Sequence, residues 1–215
     1  MQEPDFRSAA HAARPRRKLT DGQRYALITA VYAALMIPSY FILHPYMVIG
    51  IPLVTLGLTL YMLRHEYAAV SLRDLQGRSI GYWTQIGILA ALLAQIAFHL
   101  LYPHETAVNG VPYQLMQRYP MMPVYMVLQA PVVEEVIFRK ILFGRLRSQL
   151  STPGAALLSS VLFGALHRDW SGFALYFAIG LLFCWLYARS RSILPSLCAH
   201  MALNTIFLLN ISLFS

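Results

Sequence analysis

The sequence predicts an all-α fold, a polytopic membrane helix bundle of about seven transmembrane helices. Of its 215 residues, 58% are hydrophobic and only 12% are charged, whereas soluble domains carry about 25% charged residues. Seven apolar segments divide the chain, and a helix needs roughly 20 such residues to cross the hydrocarbon core. The predicted spans are residues 25–43, 46–63, 80–102, 121–144, 153–168, 172–188 and 193–213.

The basic residues predict the orientation of these spans. The net charge of +8 sits beside apolar segments, which argues against a nucleic-acid partner. Arg and Lys collect in the amino-terminal tail and on the connections 64–79, 145–150 and 189–191. Cytoplasmic loops carry an excess of Lys and Arg. The amino terminus is therefore predicted in the cytoplasm and the carboxyl terminus outside.

No repeat or linker divides the chain. We expect a basic cytoplasmic tail, residues 1–24, followed by a single transmembrane domain, residues 25–215. The tail resembles the charged region of a signal peptide, but the apolar run after it is too long, so a retained first helix is expected. Cys184 and Cys198 lie in separate apolar segments, which indicates neither a disulfide nor a thiolate metal site.

The fourth segment contains two adjacent carboxylates, Glu134 and Glu135. Ionisable side chains within a membrane cost about 2.5–3.5 kcal/mol each on insertion scales, so they usually serve a function. Arg139 follows Glu135 by one helical turn, the favourable order for an ion pair, and we expect it to neutralise and orient Glu135. Glu134 points about 100° away and is a candidate proton acceptor. The alternative is a surface pair of glutamates at a shallow helix end.

Two later segments each carry a histidine within a four-residue spacing. Phe163 precedes His167 by one turn, beside small residues that let membrane helices approach closely. His200 and Asn204 share one helix face and could cradle a developing oxyanion. The alternatives are an interfacial histidine at position 167 and hydrogen bonds that only hold helices together at His200 and Asn204.

The three motifs together resemble those of the CAAX-processing protease and bacteriocin-immunity family of intramembrane glutamic-type endopeptidases. The resemblance covers roughly residues 120–210, and the amino-terminal half carries no signature. The matching motifs are Glu134-Glu135-x-x-x-Arg139, Phe163-x-x-x-His167 and His200-x-x-x-Asn204.

The resemblance implies a catalytic role for four of these residues. Glu134, helped by His167, would activate a water molecule as general base. His200 and Asn204 would stabilise the oxyanion of the tetrahedral intermediate. The remaining residues would orient the site: Glu135, Arg139 and Phe163.

The family implies a peptide or protein substrate with a membrane-embedded or lipidated tail, cleaved near its carboxyl terminus, and contact with membrane lipid. No cofactor is expected. Glu134, His167 and His200 could bind zinc, but no H-E-x-x-H helix is present, which favours a metal-free mechanism. The small size fits a multi-pass protein of the bacterial inner membrane.

Two other functions stay open at this point. A proton-coupled transporter would use a membrane carboxylate, but no inverted repeat is detectable. A non-catalytic immunity or assembly protein of the same fold would not need every catalytic candidate intact. A straight fourth helix from Met121 would also place Glu134 about 20 Å from the boundary near which His167 lies. We therefore expect a water-filled cavity that reaches both residues.

Overall fold

The structure is a computed structural model that describes residues 19–39, 45–68, 78–102 and 111–214. The predicted all-α class is confirmed, because the residues in these ranges form eight helices and no strand. Most of the predicted tail, residues 1–18, lies outside the described residues. The helices are α1 (Asp21–Ser39), α2 (Pro45–Ala68), α3 (Arg78–Leu101), α4 (Val111–Arg118), α5 (122–146), α6 (Thr152–Leu166), α7 (Phe173–Ser190) and α8 (Leu194–Phe214).

Two boundaries differ from the predicted segments for local reasons. Helix α1 begins at Asp21 rather than residue 25, because Thr20 and Gln23 form a capping box: each side chain accepts a hydrogen bond from the other's backbone N–H. Helix α4 occupies part of the predicted 103–120 loop. Helix α6 begins after its N-cap Ser151, whose hydroxyl accepts a hydrogen bond from the Gly154 N–H.

Helix α5 alternates between α- and π-helical geometry. Pi-helical turns are rare and occur frequently at functional sites. The acidic motif lies at the junction where an α-helical segment passes into the second π-helical one. The segments are Met122–Val124 (α), Tyr125–Gln129 (π), Ala130–Glu135 (α), Val136–Phe143 (π) and Gly144–Leu146 (α).

The buried core has α5 at its centre. Its apolar face packs against α1, α2 and α6, with these fully buried members: Ile28, Tyr32, Leu63, Val133, Val136, Ile137, Phe138, Ile141 and Phe163. Helix α3 packs instead against α7 and α8, where Gly87 gives the closest approach: a Cβ there would lie 2.6 Å from Leu186 and 3.1 Å from Ala199. Close packing therefore joins α3 to the carboxyl-terminal half.

The outer surface of the bundle is apolar. Large hydrophobic side chains of α3 and α6 are exposed on it, including Leu89, Leu93, Ile96, Leu100, Leu157 and Val161. Two described helices are long and apolar enough to cross a membrane, Ser79–Leu101 and Phe173–Ser190, and Thr152–Leu166 and Leu194–Leu209 are shorter apolar stretches. The count of seven spans stays a prediction.

Candidate active site

Glu135 and Arg139 form an ion pair that is completely buried. Oε2 of Glu135 lies 3.4 Å from Nε of Arg139, and both side chains are 0% exposed. The other carboxylate oxygen, Oε1, accepts a hydrogen bond from Nδ1 of His200 at 3.1 Å. A buried ion pair is tolerated when further hydrogen bonds satisfy its remaining atoms. The one-turn spacing predicted the Arg139 contact, whereas the contact with His200 depends on how α5 packs against α8.

Aromatic rings surround the guanidinium of Arg139. Its Cζ lies 4.3 Å from the ring centre of Phe163, 5.2 Å from that of Phe183 and 5.9 Å from that of Phe138. None of its three nitrogens makes a hydrogen bond within the described part of the chain. Desolvated cation–π contacts contribute about 2 kcal/mol. The charge is thus held by one carboxylate and by aromatic faces.

Glu134 faces a different environment from its neighbour. Its side chain is 16% exposed, and its Oε2 lies 3.7 Å from Nε2 of His200. It lines a small cleft with a free volume of about 10 Å³, room for roughly one water molecule. The other walls of the cleft are Tyr32, Met36, Thr55, Tyr125, Gln129, Ala130 and Val133. The two adjacent carboxylates are therefore separated by burial: Glu135 is enclosed, and Glu134 lies at an opening.

His200 stands between the two carboxylates. Because an ionised carboxylate can only accept, the bond to Glu135 places a proton on Nδ1 of His200. In the neutral ring this leaves the Nε2 lone pair on the side of Glu134. A carboxylate behind a histidine fixes the tautomer and orientation of the ring in this way. Glu135 therefore orients His200 toward Glu134.

His167 presents the same ring nitrogen. It is the C-cap of α6, and its Nδ1 lies 2.8 Å from the carbonyl oxygen of Phe163. A carbonyl can only accept, so this Nδ1 also carries a proton and Nε2 is unprotonated in the neutral ring. Glu134 is close enough to interact electrostatically with the ring. Both histidines thus carry the proton on Nδ1, and Nε2 of His200 lies 3.7 Å from Glu134.

The contact between α5 and α6 places Glu134 and His167 on neighbouring turns of the two helices. The rings of Phe138 and Phe163 are in edge contact, 5.3 Å apart. One turn back along α5 is Glu134, and one turn on along α6 is His167. Helix α6 has only 15 residues, about 22 Å of helix, which is less than the roughly 30 Å thickness of the hydrocarbon core. The turn after α6 can therefore lie within the membrane, which would reduce the expected difference in depth. Among the described residues, the cleft at Glu134 does not include His167, so the predicted cavity that reaches both residues stays a prediction.

Asn204 contacts α5 through its side-chain amide. Its Nδ2 donates to the carbonyl oxygen of Met126 at 2.8 Å. In the π-helical register of this segment, each N–H bonds to the carbonyl five residues earlier, as Ala130 N–H does to Tyr125 O. The carbonyl of Met126 would therefore accept from the N–H of residue 131. That residue is proline, which has no N–H. Asn204 replaces the missing donor, as neighbouring helices do for prolines in membrane helices.

The structure connects six of the seven motif residues in one cluster around Phe163, whereas the recorded contact of Asn204 is with Met126 of α5. The ring of Phe163 lies 4.7 Å from that of His167 and 6.0 Å from that of His200. Sequence reasoning missed three further contributors. These are Tyr176 on His167, Phe183 on Arg139 and His200, and Ser159, whose hydroxyl bonds the Phe138 carbonyl.

A signal for two of the missed residues was present on α7. Tyr176, Gly180 and Phe183 recur at spacings of four and three, which is one face of a helix. In the structure that face packs against the motif helices: Gly180 lies against Ser160 of α6, and Tyr176 and Phe183 stack against the two histidines.

The residues suggested for zinc have the appropriate donor atoms. Zinc is bound in proteins by carboxylate oxygen and imidazole nitrogen, which Glu134, His167 and His200 could supply. The Nδ1 atoms are held by Phe163 O and Glu135, as the outer partners of metal-binding histidines usually are. Among the described residues, however, no group of three His, Cys, Asp or Glu side chains is close enough together to hold a metal ion.

Comparison with known proteins gives the class. Residues 116–206 match the family model of the Rce1-like type II CAAX prenyl endopeptidases. The matched residues contain all three motifs, and with the relatives described next they support the family that the motifs resemble, the CAAX-processing protease and bacteriocin-immunity family. With the apolar helices, they indicate a membrane protein.

Three curated relatives are similar to the chain. It is 36% identical over 144 residues to the putative membrane peptidase YdiL of Bacillus subtilis, covering 63% of this chain and 59% of that protein. It is 26% identical to the membrane-embedded CAAX protease MroQ of Staphylococcus aureus (41% of this chain, 38% of that protein). It is 31% identical to the UPF0177 protein YxdF of Lactococcus lactis (34% and 41%). The match therefore spans less than two thirds of each relative. No solved structure has significant similarity to the chain.

Proposed function

We propose that this protein is an intramembrane endopeptidase that hydrolyses a peptide bond near the carboxyl terminus of a membrane-associated or lipid-anchored substrate. The observation that carries the proposal is the environment of Glu134. It is a partly exposed carboxylate at the wall of a cleft, with His200 at 3.7 Å and His167 within electrostatic reach. A carboxylate beside imidazoles at an accessible opening is suited to activate water.

In the proposed mechanism a water molecule is held between Glu134 and Nε2 of His167. Glu134 takes a proton as the water oxygen bonds to the scissile carbonyl carbon, and the carbonyl oxygen becomes an oxyanion. Glu134 then gives the proton to the leaving amine as the C–N bond breaks. The products are a new carboxyl end and a new amino end, so one water molecule accounts for all atoms.

His200 and Asn204 are the proposed donors to the oxyanion. Because Nδ1 of His200 already donates to Glu135, donation from Nε2 requires the doubly protonated ring, and the Glu135 carboxylate stabilises that cation. Asn204 has two N–H donors, of which one bonds Met126 O and the second remains for the oxyanion. Preorganised donors of this kind typically account for about 10²–10³-fold in rate each.

The cleft at Glu134 is the proposed substrate entry. Its walls come from α1, α2 and α5 and combine aromatic, aliphatic and hydroxyl side chains. An apolar exterior surrounds the bundle, so a lipid-anchored substrate can remain in the bilayer while its peptide reaches Glu134. We propose a multi-pass protein of the bacterial inner membrane with its amino terminus in the cytoplasm, which cysteine labelling of each connection in intact cells would test.

No metal ion is part of the proposed reaction. If zinc were bound, Glu134 and Nε2 of the two histidines would hold it, and it would polarise the water or the carbonyl. Metal analysis of the purified protein, with cleavage measured before and after 1,10-phenanthroline, decides between the two. We expect no stoichiometric zinc and no loss of cleavage on chelation. Stoichiometric zinc whose removal abolishes cleavage would replace the metal-free mechanism.

The test of the function uses the protein in nanodiscs and an internally quenched peptide with a farnesylated carboxyl-terminal cysteine. Glu134→Gln should lower kcat about 10²–10⁴-fold, the usual contribution of a general base, without changing the unfolding curve. Asp21→Asn is the matched control, because it removes an exposed carboxylate at the start of α1 and should leave cleavage intact. Undiminished cleavage by Glu134→Gln would refute the assignment. The same variant serves to trap natural substrates for identification by mass spectrometry.

A further inference from the structure

We propose that Tyr176 is a positioning residue that holds the ring of His167 in its active orientation and is itself anchored by Asp169. Both residues lie outside the three motifs, Tyr176 on α7 and Asp169 in the turn that precedes it. The inference rests on the proposed function, in which His167 orients the water beside Glu134. Under this proposal, the turn between α6 and α7 helps to position His167.

The ring of His167 is fixed from two sides. Tyr176 stacks on one face with ring centres 4.0 Å apart and an angle of 18° between the planes. Phe163 contacts the ring at 4.7 Å and 62°, edge to face, and its carbonyl accepts the Nδ1 proton at 2.8 Å. His167 is the C-cap that follows the last residue of α6, where the helix no longer restrains the side chain. The stack supplies that restraint.

Asp169 holds Tyr176 from the other side. Its Oδ1 accepts hydrogen bonds from Ser171 Oγ at 2.6 Å and from Gly172 N at 3.0 Å. Its Oδ2 accepts a long hydrogen bond from the Tyr176 hydroxyl at 3.5 Å. Partial burial alone would raise the pKa of Asp169, but these hydrogen bonds bring the pKa below its usual value. The carboxylate is therefore an ionised and well-oriented acceptor.

The turn between α6 and α7 is tightly packed around Asp169 and Tyr176. Arg168 adopts a left-handed conformation with φ of 56°, which reverses the chain directly after His167. A Cβ on Gly172 would lie 2.5 Å from Asp169 Oδ2 and 2.9 Å from the Tyr176 ring. Glycine at this position thus allows Asp169 and Tyr176 to approach each other, and the approach places the tyrosine ring on His167.

The stacked ring also suits the chemistry. The face of an aromatic ring carries negative charge and attracts a cation, so Tyr176 stabilises His167 whenever the imidazole takes up a proton. The same ring keeps water off one face of the imidazole. The charge of Glu134 also acts on Tyr176.

The first measurement is the ¹⁵N NMR spectrum of histidine-labelled protein in nanodiscs, with the His167 signal assigned from its loss in His167→Asn. We expect the wild type to show one tautomer, protonated at Nδ1. Tyr176→Leu should give a mixture of tautomers, while Tyr176→Phe should keep the wild-type signal. The matched control is Phe177→Leu, which removes a ring of the neighbouring Phe173–Phe177 stack on the same helix. An unchanged His167 signal in Tyr176→Leu would overturn the proposal.

Cleavage of the farnesylated peptide gives the second measurement. Loss of the stack should lower kcat about 10²-fold with KM unchanged, as expected for a misplaced catalytic group. Tyr176→Phe should lose no more than about tenfold, what one hydrogen bond contributes. Tyr176→Met, which fills similar volume without a ring, replaces the leucine variant if that variant does not fold.

The two proposals fail in different ways. If the wild type does not cleave, or if Glu134→Gln cleaves as fast as the wild type, the proposed function is refuted and the NMR comparison still decides the role of Tyr176. If cleavage depends on Glu134 but Tyr176→Leu matches the wild type in kcat and in the His167 signal, only the positioning role is refuted.

Discussion

The glycines of α2 and those of the motif-bearing helices differ in how closely a neighbouring helix packs against them. In α2, a Cβ added at Gly50 or Gly57 would meet no atom of the described residues within 4 Å. In α6 and α7, a Cβ at Gly164 would lie 3.0 Å from the Phe173 ring and one at Gly180 would lie 2.9 Å from Ser160. Small residues serve close helix contact only in the second region. Glycine by itself therefore does not indicate a helix interface in this chain.

Hydrogen bonds differ between the two regions in the same sense. The hydroxyls of Thr29 and Thr55 bond to carbonyls one turn back in their own helices. Ser159 of α6 bonds to Phe138 O of α5, and Asn204 of α8 bonds to Met126 O. Bonds between helices fix relative positions, whereas bonds within one helix do not. Ser159 and Asn204 thus fix α5 against α6 and α8, and α1 and α2 contribute one wall of the cleft at Glu134.

The largest difference between the regions should appear at their arginines. Arg139→Met leaves Glu135 as an uncompensated buried charge and should lower the free energy of unfolding by about 3–5 kcal/mol. Arg64→Met on α2 removes an exposed guanidinium that bonds Tyr61 O and should change it by no more than about 0.5 kcal/mol. Denaturation in mixed micelles measures both. The double variant Glu135→Gln/Arg139→Met should recover part of the loss, and equal effects at Arg139 and Arg64 would contradict the buried pair.

Substitution of Asn204 should have the next largest effect. It separates a loss of kcat from a loss of stability. Asn204→Ala should lower kcat about 10²–10³-fold if its second N–H serves the oxyanion, and should lower stability by about 1 kcal/mol through the lost bond to Met126. Thr205→Val is the control, because its hydroxyl bonds only to Met201 O in its own helix. A stability loss with unchanged kcat would limit Asn204 to capping the carbonyl that Pro131 leaves free.

A methyl group at Gly180 should cost less stability than Arg139→Met and should leave the proposed oxyanion donors in place. The added Cβ of Gly180→Ala would lie 2.9 Å from Ser160 Cβ and 3.1 Å from Ser160 Cα, so the backbone of α6 has to move. Overpacking of this kind costs about 1–3 kcal/mol. A thermal unfolding curve in detergent tests the expectation, and an unchanged curve would show that α6 and α7 are not in rigid contact.

The smallest effect has the opposite sign and belongs to the loosely packed region. Gly57 is exposed in the middle of α2, and an added Cβ meets no other atom. Gly57→Ala should therefore stabilise the protein by about 0.5–1 kcal/mol, the difference in helix preference between the two residues. The same unfolding assay applies, and destabilisation would indicate that α2 has a close neighbour at this position.

What the sequence predicted correctly was local in the chain. The Glu135–Arg139 pair follows from one helical turn of spacing. The capping box of α1 is equally local, because it lies within four residues, but it was not among the predicted features. The contact of Glu134 with His200 could not be predicted, because it depends on the packing of α5 against α8. The π-helical segments were missed as well, although Pro131 offered a hint: a proline in a helix always leaves one carbonyl without its donor.

The division of labour between the two regions has an evolutionary consequence. The residues proposed to break the peptide bond lie on α5, α6 and α8, whereas Tyr32, Met36 and Thr55 of the opposite cleft wall lie on α1 and α2. Selection can therefore alter which tails are accepted by changing two helices that hold none of the reacting groups. Divergent descendants would keep one hydrolytic apparatus and exchange the surface that recognises their targets.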